Sequence, residues 1–290
     1  MNDHIVRIVS ESGNIRAIGA LTTATASTIC KRHATTAQVT DSLARTVTVS
    51  LLMSALLKDN QKLAVKFEGN GPVKKLVAES DATGRVRAYA GVSDATVEAG
   101  NILGNAGLLT VVKDIGMRHP YSGTVHLQSG NIADDIAFYL TESEQTPSAV
   151  GIGTFVDNAG NLQAAGGFLI QSLPTDDKNN NGGNIESMIS VINSLPPMSE
   201  LLLTGNTPEQ IIGKVFSEIP YKVLYNNPAS FYCDCSRDKF EKGLLSLGRK
   251  ELLEISNEHK DIETVCEFCK ESYSFTETDI NTLINELGQR

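Results

Sequence analysis

Four of the five cysteines gather near one end of the 290-residue chain, as Cys233-Asp234-Cys235, then residues 236–265, then Cys266-Glu267-Phe268-Cys269. Two close pairs separated by a loop can set four sulfurs around one ion, and soft thiolates in tetrahedral array select zinc. The first pair is C-x-C, a departure from the commoner C-x₂-C. Spacing alone fits a purely structural zinc knob equally well. The pairing adds redox chemistry: a sulfenic acid formed on one thiolate has a neighbour to condense with, so each pair carries its own resolving thiol. Closing a ring across a single residue strains it, which eases its reduction. The expectation is one Zn²⁺ per chain, held by Cys233, Cys235, Cys266 and Cys269, with a structural or a switching role both open at this point.

The surroundings of these thiols read as a small helical module. Ser236 can cap a helix over 237–247, a second helix covers 249–255, and Thr276-Glu277-Thr278-Asp279 has the form of a capping box for a terminal helix. Apolar residues are sparse here, so residues 233–290 should fold only with metal, which contributes roughly 10–16 kcal/mol in comparable small domains. His259 lies between the pairs, but four sulfurs already complete a tetrahedron, so it is expected in solvent. The fifth cysteine, Cys30, reads as a small apolar side chain packed in a helix and has no assigned role.

Upstream, residues 1–177 read as an α+β domain of mainly antiparallel sheet packed with helices. A hairpin is predicted from 4–10 and 15–21 across Glu11-Ser12-Gly13-Asn14. From 36 to 58, Val39, Leu43, Val47, Leu51 and Leu52 recur at helical spacing without Gly or Pro, which predicts a long buried helix. Strands are expected at 62–68, 73–79, 85–92, 108–115, 124–128, 150–156 and 162–173, with a helix at 131–141 capped by Asn131. Gly69-Asn70-Gly71-Pro72-Val73-Lys74 lacks the order of a phosphate loop and reads as a strand-connecting turn. The polar run Thr175 to Gly183 marks a boundary, and residues 178–232 form a helical, metastable linker with short helices at 185–195 and 208–216, broken at Asn226-Asn227-Pro228. Such helices need a partner surface.

Composition narrows the function. The chain carries 25 Lys and Arg against 34 Asp and Glu, a net of −9, which repels phosphate backbones and anionic membranes. Residues 233–290 alone carry 8 basic against 13 acidic residues, so a nucleic-acid-binding zinc ribbon is poorly supported. No stretch approaches the roughly 18 apolar residues of a membrane span. The early charge in Met1-Asn2-Asp3-His4 does not suit a secretory signal, so a cytoplasmic location is expected. His33, His119 and His126 have no sequence-near nucleophile and carboxylate, and nothing marks an enzyme. The alternative is a zinc-dependent thiol-disulfide oxidoreductase using Cys266 and Cys269, but the flanking Glu263, Glu267 and Glu271 disfavour a thiolate there.

Beyond the cysteines, the chain resembles the heat-shock protein 33 family in Ser236-Arg237-Asp238-Lys239-Phe240-Glu241, Leu244-Leu245-Ser246-Leu247-Gly248, Ser143-Glu144-Gln145-Thr146-Pro147-Ser148-Ala149-Val150, Ala164-Ala165-Gly166-Gly167-Phe168-Leu169-Ile170-Gln171 and Glu68-Gly69-Asn70-Gly71-Pro72. The resemblance implies an α+β client-binding and dimerisation core (1–177), the linker (178–232) and a zinc redox switch (233–290). It implies an ATP-independent holdase, with disulfides Cys266–Cys269 and Cys233–Cys235 forming as zinc is expelled. The implied partners are unfolding client proteins, a second copy in an active homodimer, and ATP-dependent foldases that take over the client.

Overall fold

The computed structural model describes residues 2–97, 101–174, 183–258 and 261–288, so most of the polar run at 175–183 and His259 lie outside the described residues. Two compact units are present, Met1–Tyr232 and Cys233–Arg290.

The first unit opens with the predicted hairpin, β1 (His4–Ser10) and β2 (Ile15–Leu21), followed by helices α1 (Thr23–Arg32) and α2 (Ala37–Ser54). Next come β3 (Lys62–Gly69), β4 (Lys75–Asp81), β5 (Arg85–Ala90), β6 (Gly107–Asp114), β7 (Tyr121–His126), α3 (Ile132–Glu142), β8 (Ser148–Val156) and β9 (Leu162–Ser172). After the break follow α4 (Gly183–Ser194), α5 (Met198–Leu203), α6 (Pro208–Val215), β10 (Tyr221–Pro228) and β11 (Ser230–Phe231). These strands make a five-stranded sheet in the order β10-β1-β2-β9-β8 and a six-stranded sheet in the order β11-β5-β4-β3-β6-β7.

Helix α2 runs between the sheets, and burial on all sides explains its composition. Val39, Leu43, Val47, Leu51 and Leu52 are fully buried, and so are Thr46, Thr48, Ser50 and Ser54. A buried hydroxyl is costly without a partner. Thr48 pairs with Thr22 at 2.7 Å and with the Ala44 carbonyl, and Ser50 pairs with Ser80 at 2.7 Å. Thr36 caps the helix by accepting from the Val39 amide, as Asn131 caps α3 by accepting from the Ala133 amide.

The two sheets differ in a way their sequences record. In β3, Leu63, Val65 and Phe67 point to α2 while Lys62, Lys66 and Glu68 alternate outward, the pattern of a sheet wetted on one face. In β2 and β9 the alternation is lost. Ile18, Ala20 and Leu169 pack on the α2 side, whereas Ile15, Ala17, Phe168 and Ile170 pack on the other, together with Val6 and Ile8 of β1. The outer face is therefore apolar as well, and Met188, Leu201, Leu202, Ile211, Ile212, Val215 and Phe216 from the segment beyond residue 182 cover it. Glycines set the closeness of that cover. A Cβ on Gly19 would lie 2.8 Å from Ile212 Cδ1, and one on Gly153 would lie 2.3 Å from the Ser199 amide nitrogen.

The predicted break at Asn226-Asn227-Pro228 is corrected, because β10 continues through it to pair with β1, Ile5 opposite Asn227 and His4 opposite Pro228. Pro is tolerated there since it ends an edge strand and lacks only an amide. Helix α5 was not expected as an element, whereas Cys30 lies buried in a helix as its reading required, α1, where burial pushes its thiol up to about 12.

Candidate metal centre

The second unit consists of α7 (Arg237–Leu247), α8 (Arg249–Glu258), a hairpin of β12 (Ile262–Val265) and β13 (Ser272–Phe275), and α9 (Glu277–Gly288). Its core is small: Leu244, Leu252, Phe275, Ile280, Leu283 and Ile284 are the buried cluster, with Phe240 and Tyr273 packed against it. The caps expected from sequence form. Ser236 accepts from the Lys239 amide, while Thr276 Oγ1 accepts from the Asp279 amide and Asp279 Oδ2 from the Thr276 amide. Arg237 ties the start of α7 to that of α9 through Asp279 at 2.9 Å, and its guanidinium lies over the Phe275 ring at 4.3 Å.

Two chain segments bring the sulfurs together. Cys233 and Cys235 sit on the extended stretch that Ser236 ends by starting α7. Cys266 and Cys269 sit in the tight turn of the hairpin, where Val265 pairs with Ser272. The turn is closed by the Cys266 amide donating to the Glu271 carbonyl at 2.9 Å and the Lys270 amide donating to the Cys266 carbonyl at 2.8 Å. Lys270 takes a left-handed conformation, φ 59°, to let the chain reverse. The hairpin strands are only four residues each, too short to read from sequence.

All four Sγ atoms lie within 4.8 Å of one another. Cys235 is 3.3 Å from Cys269 and Cys233 is 3.8 Å from Cys266, and the described cysteines carry no disulfide. Zinc–sulfur bonds of about 2.3 Å in a tetrahedron put sulfurs about 3.8 Å apart, so the donor set fits a metal ion of that kind. Burial raises the Cys235 thiol, and burial together with the neighbouring sulfurs raises Cys269 well above the ordinary cysteine range, although the Glu271 amide opposes this. A cation in the cluster reverses that preference by stabilising the thiolates. Sequence reading missed Tyr273, whose hydroxyl donates to Cys235 Sγ at 3.2 Å. Only the hairpin register, with Tyr273 opposite Thr264, brings it there.

The family model described as Hsp33 protein matches residues 3–276. The chain belongs to the Hsp33 family. Its Hsp33 relatives include the 33 kDa chaperonin of Citrifermentans bemidjiense, 46% identical with 100% of this chain and 99% of the relative covered. The 33 kDa chaperonin of Bacillus subtilis is 40% identical, with 97% and 98% covered. A crystal structure of the Thermotoga maritima 33 kDa chaperonin, a heat shock protein 33 homolog, superposes with a TM-score of 0.91 at 29% identity over 100% of both chains. Hsp33 membership makes the chain a chaperone, and chaperones bind client proteins. No helix among the described residues is long and apolar enough to cross a membrane. The Cys266–Cys269 pair lies between two strands rather than opening a helix, unlike the redox motif of a thioredoxin-like unit.

Proposed function

We propose that the chain is a redox-regulated, ATP-independent holdase of the cytoplasm, in which Cys233, Cys235, Cys266 and Cys269 bind one zinc ion when reduced. The observation that carries this reading is the second apolar face of the five-stranded sheet, covered by α4 to α6 of the segment that runs on through Tyr232 into Cys233. Zinc, when bound, supplies the charge that keeps the four sulfurs as thiolates and ties the hairpin turn to the start of α7.

The residues themselves supply the switch. A peroxide oxidises a thiolate to sulfenic acid, and the paired thiol displaces that oxygen as water to leave one disulfide. Disulfides Cys266–Cys269 and Cys233–Cys235 together withdraw all four donors. With its small core, the unit then unfolds, and residues 178–232 lose their anchorage and leave the sheet. Residues 1–177 keep their own core around α2, present Ile15, Ala17, Phe168 and Ile170 to unfolding clients, and associate as a dimer. The client is later handed to ATP-dependent foldases. This is binding without turnover, and no enzymatic step is required.

The test is to treat the reduced protein with peroxide and mild heat. Release of one zinc per chain should coincide with suppression of aggregation of a denaturing client; release without that gain overturns the reading.

A further inference from the structure

The strand β10 is the partner of β1 at the edge of the five-stranded sheet, and it is held in an unusual way. Its side chains are mostly exposed, Val223 and Leu224 by 55% and 51%. The register shifts between Arg7 and Ile8, so that Arg7 faces Tyr225 and Ile8 faces Val223, with Leu224 bulged. Among the described residues, three side-chain anchors add to the backbone ladder. Tyr225 donates to the Ala55 carbonyl and lies beneath the Arg7 guanidinium. The other two anchors reach α6 and the residue that caps it: Tyr221 packs edge-on to Phe216, which follows the last residue of α6, with ring centroids 5.5 Å apart, and Asn226 donates to Glu209 at 3.0 Å. When α6 leaves the sheet, β10 loses both.

We propose that the β1 edge, vacated by β10, is a strand-addition site for extended, apolar-rich segments of unfolded polypeptide. This rests on the holdase reading above and adds the mode of binding. The present occupant defines the chemistry. It is an antiparallel, extended segment read through its amides, and it tolerates apolar side chains, bulges and a terminal proline. A backbone edge is indifferent to sequence, which suits clients of every composition. Side chains of an added strand that share the outer face fall beside Val6 and Ile8, where Asn226 and Val223 now stand. Main-chain pairing and apolar contact then act on the same client segment.

The experiment uses the full chain, reduced or oxidised, and a fluorescent peptide with the sequence of residues 221–227. A twin carries N-methyl groups on the residues matching Val223, Leu224 and Tyr225, which blocks both hydrogen-bonding edges while making the peptide more apolar. The parent peptide should bind the oxidised chain and not the reduced one. It should bind about tenfold more tightly than its twin, the loss expected for two or three hydrogen bonds, and slow amide exchange in β1. Equal binding of the twin, binding of neither peptide, or protection that misses β1 overturns the proposal. Aggregation suppression is measured in the same oxidised sample before peptide is added. An oxidised chain that fails to suppress aggregation overturns the holdase reading, while one that suppresses it yet treats both peptides alike overturns strand addition only.

Discussion

The hydroxyl of Tyr273 donates a hydrogen bond to the sulfur of Cys235 across 3.2 Å, from a ring that stacks at a tilt on Phe240 with centroids 4.9 Å apart. The ring is fixed by the hairpin and by the small core, so the donor is aimed rather than free to rotate away. A hydrogen bond to thiolate sulfur draws off electron density and favours the charged form. Tyr273→Phe keeps the ring and removes only the donor. Metal affinity should fall by about 10-fold, the usual lower effect of losing such a partner, and peroxide should displace the metal faster. Chelator competition and a chromogenic zinc readout measure both; unchanged values would remove Tyr273 from the site.

The six-residue buried cluster of the second unit predicts that the cysteines hold its fold as much as its metal. Replacing Cys266 by Ser leaves three sulfurs, and the hairpin turn keeps its backbone bonds but loses one of its two anchors. Helical signal and amide protection across 233–288 should collapse in the variant, as they should in the parent on strong chelation. A metal contribution of roughly 10–16 kcal/mol leaves little margin once one thiolate is gone. Protection that survives in both would make the core self-sufficient.

The residues that bear the chemistry were legible because cysteine spacing is a local signal, and so were the caps at Asn131, Ser236 and Thr276, which depend on neighbours two or three residues away. The strand β10 was not. Tyr-Lys-Val-Leu-Tyr-Asn-Asn-Pro has no clean alternation, and its strand state is decided by β1, more than 200 residues earlier. The same holds for Tyr273, whose role comes from the sulfur it reaches. What the sheet sequences did carry, in hindsight of their burial, is the contrast between alternating β3 and uninterrupted β9, which separates a sheet wetted on one face from one covered on both.

Acid should loosen α6 through one carboxylate. Partial burial by itself would raise the Glu209 carboxyl, but hydrogen bonds from its own amide, His4 and Thr207 outweigh it and leave the group below its usual value. A carboxyl lowered in the folded state contributes stability that is complete above its unfolded pKa and is lost as pH falls through the folded one. Below about pH 4, then, the contacts of Glu209 with His4 at 3.0 Å and with Asn226 weaken. Amide exchange in α6 and β10 should accelerate over that window, and Glu209→Gln should flatten the dependence. Acceleration that persists unchanged in the Gln variant would place its origin elsewhere.

The cover over the outer sheet face can be lifted without touching a cysteine. Gly153 lies on β8 opposite Gly166, and a methyl group there would meet the backbone at the start of α5, 2.3 Å from the Ser199 nitrogen and 2.5 Å from the Met198 carbonyl carbon. Backbone cannot move aside as a flexible side chain can, so Gly153→Ala should cost the docked state about 1–3 kcal/mol. The inner face of the sheet and the core around α2 are unaffected, since Gly153 faces away from them. The reduced variant should therefore suppress client aggregation with its metal still bound, and its α5 and α6 amides should exchange faster than those of α2. A reduced variant whose α5 and α6 amides exchange faster but which stays inactive would show that uncovering this face is insufficient for client binding, whereas loss of α2 protection would show that the methyl group had reached the core instead.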